Sequence, residues 1–362
     1  MSDAPTPDAV RKALAQVKDP ATDRDLESSR QLTKVELDGN TAHLGVDLIS
    51  PGYPLKATLD AAIRAALEPM GLTVKIDYGL AVPRKPPRQD QNRMPTVKNV
   101  IAVAAGKGGV GKSTVSVNLA MAIKQMGGSV GILDADIYGP SVPKMLGTPS
   151  RQTDKTEDGT RIIPALYRGI PVMSVEYFVE SGRAVIWRGP MIHKLLQQFL
   201  EDVDWGDLDY LIIDMPPGTG DAQLSLGQLI PITGGVIVTT PQEVALLDVR
   251  KAVDMFKKLE TPILGMVENM AFYECPSCGF HDDVFSSGGA DRLAAEIGAD
   301  VLGRLPVDRK VSLGGERGIP VVEADPDGTH GKMFRDVAAQ ATLRASKISG
   351  TGPRRSTLLR TV

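Results

Sequence analysis

Three groups of residues in this chain have types and spacings suited to chemistry. The first is Gly106-Lys107-Gly108-Gly109-Val110-Gly111-Lys112-Ser113, which meets the pattern G-x-x-x-x-G-K-[ST]. Glycines let such a loop curl until several backbone N–H groups face phosphate oxygens, and a following helix adds the favourable end of its dipole. Lys112 has the reach for the β- and γ-phosphates of a nucleotide, and the Ser113 hydroxyl suits Mg²⁺. The second group is acidic: Asp134 and Asp136 close the run Gly131-Ile132-Leu133, and Asp214 closes Tyr210-Leu211-Ile212-Ile213. A carboxylate at a strand end beside such a loop holds Mg²⁺ directly or through water. The third group is Cys275-Pro276-Ser277-Cys278, the chain's two cysteines.

A Cys-x-x-Cys turn presents two thiolates to one metal, whereas tetrahedral zinc and iron–sulfur clusters each want four ligands. Three readings are open from the residues: a half zinc ribbon with His281 as third ligand, a redox disulfide or idle turn, or a cluster shared between two chains. Two cysteines so close together are no disulfide framework, and they point to a reducing compartment.

The elements that must position these groups can be read from periodicity. Short continuous apolar runs occur at 100–105, 129–136, 210–215, 235–240 and 262–269, most of them separated by helical stretches. That alternation predicts a parallel sheet with helices on both faces, an α/β fold. The phosphate loop then lies between a strand (Val100–Ala105) and a helix (Thr114–Gln125). Residues 1–82 predict a smaller α/β unit in the order α-β-β-α-β. Leu44, Val46 and Leu48 alternate as in a half-buried strand, and Leu55, Leu59, Ile63 and Leu67 recur at helical spacing behind Pro54. Residues 83–95 are polar and proline-rich and predict a linker. The main unit spans 96–345, and residues 346–362 predict a disordered tail.

Composition narrows the partners. The 362 residues are 42% hydrophobic and 23% charged, with a formal net charge of −3. That balance gives no basis for a general nucleic-acid or membrane-surface binder. No apolar run approaches the roughly 18–20 residues of a membrane helix. The start, MSDAPTPDAV, has no signal-peptide pattern. The expectation is a cytoplasmic protein without nucleic-acid or membrane partners.

The string GKGGVGKST resembles the deviant Walker A of the MinD/ParA/nitrogenase-iron-protein superclass of P-loop NTPases. The resemblance implies ATP as ligand, with Thr114 extending the loop's contacts, and ATP hydrolysis. It implies a homodimer in which Lys107 crosses to the partner's nucleotide. Asp136 would orient the attacking water, and the Gly218 backbone would sense the γ-phosphate. Asn269, Pro306 and Asp308 would hold the base; from the residues alone both segments read as turn chemistry. LDADIYGPSVP (133–143), WRGPM (187–191), DMPPGTGD (214–221), VENMAFYECPSCG (267–279) and GRLPVD (303–308) narrow the likeness. They are similar to the Mrp/ApbC/Nbp-type iron–sulfur carrier ATPases. That family implies a [4Fe–4S] cluster on Cys275 and Cys278 at a dimer interface, with acceptor apoproteins and assembly scaffolds as partners. Residues 1–82 resemble the iron–sulfur assembly accessory domain, with VKDPATDRD (17–25) at its start. Where members with a reactive cysteine carry it, this chain has Tyr53, which points to docking rather than thiol chemistry. A MinD/ParA-like positioning switch is the rival, and a nitrogenase-reductase-like electron donor a third reading. The positioning switch leaves the cysteine pair without a role.

Overall fold

Two sheets, each built from the alternation its sequence shows, organise the chain. The computed structural model describes residues 5–86, 94–137, 139–148, 154–178, 189–218, 223, 227 and 229–350. In the smaller sheet β1 (Leu32–Asp38), β2 (Thr41–Leu48) and β3 (Thr73–Leu80) lie in that order. A tight turn at Gly39 makes β1 and β2 antiparallel, and α2 (Lys56–Leu67) crosses over to make β2 and β3 parallel. α1 (Pro7–Leu14) begins on Thr6, whose Oγ1 accepts the Ala9 N–H at 3.2 Å. Leu59, Ile63 and Leu67, one helical turn apart, are fully buried against Leu44 and Val46 of β2. The α-β-β-α-β order is the expected one. Tyr53 is buried, and its hydroxyl donates to Asp19 Oδ2 at 2.8 Å. Asp19 Oδ1 also takes the N–H groups of Ala21 and Thr22, so Tyr53 ties its loop to the 17–25 segment.

Among the described residues the larger sheet has nine strands. Its centre is β4 (Val97–Ala104), with β8 (Leu208–Asp214), β5 (Val130–Asp134) and β7 (Ile170–Ser174) on one side. β9 (Gly234–Thr239), β10 (Ile263–Glu274) and β12 (Val301–Val307) lie on the other. These pair in parallel; β6 (Ala165–Tyr167) and β11 (His281–Asp282) pair antiparallel with β7 and β10. Every residue of β5, β8 and β9 is buried, which is why they read as unbroken apolar runs. The helices that cover the sheet include α3 (Lys112–Gln125), α4 (Val142–Leu146), α5 (Gly189–Glu201) and α6 (Glu243–Lys258). They continue with α7 (Gly289–Ile297), α8 (Arg309–Arg317), α9 (Val321–Ala324) and α10 (Thr329–Gly350). None of the helices described is long and apolar enough to cross a membrane.

Two boundaries differ from expectation. Residues 346–350, expected in a disordered tail, form the last turn of α10. Buried side chains hold them: Ser346 Oγ lies 2.9 Å from the Tyr210 hydroxyl, and Ser349 Oγ donates to Asn99 Oδ1 at 2.5 Å. Residues 351–362 lie outside the described residues, as do 87–93 of the expected linker. The linker's described ends are packed. Met94 is buried in the larger core, Asn99 Nδ2 donates to the Pro83 carbonyl at 2.9 Å, and Lys85 reaches the Ile232 carbonyl. The two units also touch. Leu343 of α10 joins the smaller core, Gly52 abuts Met126 at the end of α3, and Arg24 donates to the Gly350 carbonyl at 3.2 Å.

Candidate functional site

The phosphate loop leaves β4 at Ala104 and enters α3 at Lys112. Gly109 and Gly111 have φ of +80° and +86°, a conformation that side chains strain to adopt. A Cβ on Gly106 would lie 2.3 Å from the Asp248 backbone carbon, so the loop's first glycine is set by the approach of α6. Gly108 faces open space. The buried Val110 offers its carbonyl to Asn269 Nδ2 at 2.9 Å, which locks the loop onto β10. Lys107 is half-buried and makes no ion pair among the described residues.

The acidic residues gather at the adjacent strand ends. Asp214 Oδ2 accepts from the Ser113 hydroxyl at 2.6 Å, and its Oδ1 accepts from Ser116 at 2.7 Å. Lys112 Nζ lies 2.8 Å from Asp214 and 3.6 Å from Asp136, with Lys112 only 7% exposed. Asp134 pairs in register with Asp214 across β5 and β8. Its oxygens serve its own turn, accepting the N–H groups of Asp136, Ser141 and Val142 and the Ser174 hydroxyl at 3.1–3.3 Å. Full burial, and then the charge of Asp214, push the Asp134 carboxyl up to about 8, with Lys112 and the backbone N–H groups opposing. Burial likewise raises Asp136 against the pull of Lys112. One ammonium therefore serves a cluster of carboxyls, and protonation relieves part of the repulsion. Gly218 follows at φ +90°; residues 219–221 of DMPPGTGD, and Trp187 and Arg188 of WRGPM, lie outside the described residues.

A cavity of about 450 Å³ opens beside the loop. It brings together Gly111, Thr114, Asn269, Pro306 and Asp308, which are widely separated in the chain. Asp308 also caps α8, its Oδ1 accepting the Lys310 N–H at 2.7 Å. The cavity has a further wall that no motif announces: Met145 of α4, and Val311, Ser312 and Glu316 of α8. The 311/312/315/316 spacing of one helical face was the available signal.

β10 runs past Asn269 to Glu274, beyond its expected end at 269, and delivers the cysteines to its tip. β11 returns antiparallel, Tyr273 opposite Asp282 and Glu274 opposite His281. The turn closes through Cys275 N–H to the Phe280 carbonyl at 2.9 Å and Gly279 N–H to the Cys275 carbonyl at 2.8 Å. The N–H groups of Ser277 and Cys278 lower the Cys275 thiol below its ordinary value and favour the thiolate. Cys278 is exposed, and Phe280, Val284 and Phe285 are exposed nearby in the chain. His281 stacks on Phe272, ring centroids 4.4 Å apart, and its Nε2 lies 3.1 Å from Asp283. Among the described residues no three His, Cys, Asp or Glu side chains gather as a metal site.

Comparison with known proteins gives two family matches. Residues 96–342 match the family described as NUBPL iron-transfer P-loop NTPase, and residues 7–77 match an iron–sulfur cluster assembly protein family. An iron–sulfur cluster carrier protein of Deinococcus radiodurans is 43% identical, covering 91% of this chain and 93% of its own. One from Escherichia coli K12 is 40% identical, covering 96% and 97%. Among solved structures, a nucleotide-binding protein of Archaeoglobus fulgidus in complex with ADP aligns at TM-score 0.58. It is 40% identical and covers 65% of this chain and 92% of its own. The cell-division ATPase MinD of Pyrococcus furiosus, at TM-score 0.51 and 24% identity over 67% and 97%, shares the fold.

Proposed function

We infer that this chain, which belongs to the NUBPL iron-transfer P-loop NTPase family, is an ATP-hydrolysing carrier that holds a [4Fe–4S] cluster between two copies and passes it to apoproteins. One observation carries the reading: a single strand, β10, joins the two chemistries. Asn269 within it bonds the phosphate loop, and Cys275 follows directly at its end. The positioning-switch reading gives the cysteine turn no role, and the likeness to MinD extends to the fold alone.

ATP lies with its phosphates in the loop from Gly106 to Ser113 and its base in the cavity of Thr114, Asn269, Pro306 and Asp308. The hydroxyl of Ser113 and the carboxylate of Asp214, 2.6 Å apart, are hard oxygen donors of the kind Mg²⁺ takes, and Asp134 stands behind them. Bound there, Mg²⁺ would neutralise charge on the phosphoryl oxygens. Lys112, resting on Asp214, turns to the β- and γ-phosphates when they fill the loop. Asp136 orients the attacking water, the Gly218 N–H reads the γ-phosphate, and Lys107 reaches the partner's nucleotide. The chemistry is positioning plus charge neutralisation.

Each chain offers two thiolates and a [4Fe–4S] cluster wants four. A two-fold axis near the turn brings two pairs together, and the exposed Phe280, Val284 and Phe285 suit such a contact. Assembly scaffolds would load the cluster, and acceptor apoproteins would take it in a reducing, cytoplasmic setting. Anaerobic reconstitution with iron and sulfide, followed by transfer to an apoprotein with and without ATP, tests the reading. Roughly one cluster per two chains is expected, lost in Cys275→Ser or Cys278→Ser while nucleotide binding persists. Stoichiometric zinc without labile sulfide would refute the carrier.

A further inference from the structure

The cysteine segment has two roots, and both reach the same place on β10. One root is β10 itself, where Asn269 holds the phosphate loop and Met270 lines the nucleotide cavity. The other is α7, which begins at Gly289 where the segment 275–288 ends. Strand alternation sends neighbouring side chains to opposite faces, so Glu268 points away from the Asn269 side. Glu268 is 2% exposed. Its Oε2 accepts from Arg304 Nε at 3.1 Å, and the same guanidinium holds Asp291 in the first turn of α7. The Ala290 N–H, at that same helix end, also bears on the Glu268 carboxylate. Among the described residues no side chain hydrogen-bonds to cap α7 at Gly288, and the Glu268 carboxyl stands at that helix end, where the dipole favours an anion.

Two further features set this place apart from the regular sheet around it. Glu268 Oε1 is buried without a hydrogen-bond partner among the described residues, so a small shift of α7 or β12 can give it one. Met270, next to Asn269, has φ +55°, and the pairing of β10 with β12 loses register between Asn269 and Tyr273. The strand is thus kinked between the nucleotide cavity and the cysteine turn.

We propose that Glu268 is a positioning residue that couples the nucleotide cavity to the cysteine turn. It fixes α7 to β10, so that displacement of Asn269 and Met270 by a nucleotide moves one root of the cysteine segment against an anchored other. Without that anchor the far root yields and the turn keeps its geometry. The inference deepens the carrier reading and rests on it.

Glu268→Gln keeps the shape and removes the charge that holds Arg304 and faces α7. In the full chain, reconstituted anaerobically, the variant is expected to keep iron and sulfide content and to bind ATP within about threefold of wild type. The ratio of cluster-transfer rates with and without ATP is expected to fall towards one, from a wild-type ratio of about fivefold or more. Hydrogen exchange over 275–297 should respond to nucleotide in wild type and not in the variant, a change that lowered stability alone would not produce. Arg304→Gln, on a half-exposed side chain, gives the same readout should Glu268→Gln fail to fold. An undiminished ratio in both variants overturns the coupling and leaves the carrier standing. A wild-type chain that takes up no cluster, or whose transfer ignores ATP, overturns the reading beneath it.

Discussion

Lys112 and Asp214 form a buried ion pair whose positive member a bound nucleotide would share, and the remaining carboxyls must manage without it. That the lysine, the serine and the strand-end acids come together was legible, the first two from the spacing of the glycine-rich loop and the acids from their places at strand ends. What each acid does was not legible. Asp134 spends its oxygens on the turn that follows it, a role set by where the chain folds back. Its proton gives a test. The carboxyl stands near 8 in the folded chain against an ordinary 3.8, so the folded state holds a proton that the unfolded state has lost. Its contribution to stability is complete below an unfolded value of about 4, falls as the pH rises towards about 8, and is flat above that. Asp134→Asn keeps an acceptor but cannot titrate. Denaturant midpoints of the nucleotide-free proteins, taken between about pH 5 and pH 8, should therefore fall more steeply for wild type than for the variant. Parallel curves would mean that Asp134 is ionised in the folded chain.

At the scale of elements, unbroken apolar runs announced β4, β5, β8, β9 and the start of β10, because strands covered on both faces have no polar side to show. β7 was not announced: Ile170-Pro171-Val172-Met173-Ser174 is short and contains a proline, a weak strand signal in any sequence. The last residues of β10 were also missed, since Ala271 to Glu274 become more exposed towards the cysteines and lose the apolar pattern. The closure of the phosphate loop on β10 depends on a contact that no spacing reveals. A Cβ on Gly111 would stand 2.1 Å from Asn269 Nδ2, and the backbone there is at φ +86°. Gly111→Ala should break the Asn269 bond to Val110 and destabilise the nucleotide-free protein by about 1–3 kcal/mol. Gly108→Ala, whose Cβ meets nothing within 4 Å, is the stability control. Equal unfolding midpoints for the two would show that the loop is not tied to β10.

The whole molecule joins a small unit to the large sheet through Leu343, Met126 and the Arg24 bond to Gly350. The order of elements in the small unit was legible, but this docking was not, because side chains that meet across units share no period. A partner chain is harder still to read, and Lys107 is the residue that argues for one. It sits half-buried on the phosphate loop with no ion pair among the described residues. A lysine on its own chain's phosphates would duplicate Lys112, whereas one that crosses a two-fold axis adds charge only when two chains meet. Turnover per chain should then rise with protein concentration in the wild type. Lys107→Ala should bind ATP normally, yet lose at least about tenfold in turnover, because a cation supplied in trans acts on the transition state rather than on binding. Sedimentation of both proteins with a slowly hydrolysed ATP analogue should show a wild-type dimer and a variant shifted towards monomer. Turnover independent of concentration, with Lys107→Ala fully active, would make the nucleotide site complete within one chain and leave the cysteines to find their partner thiolates by another route.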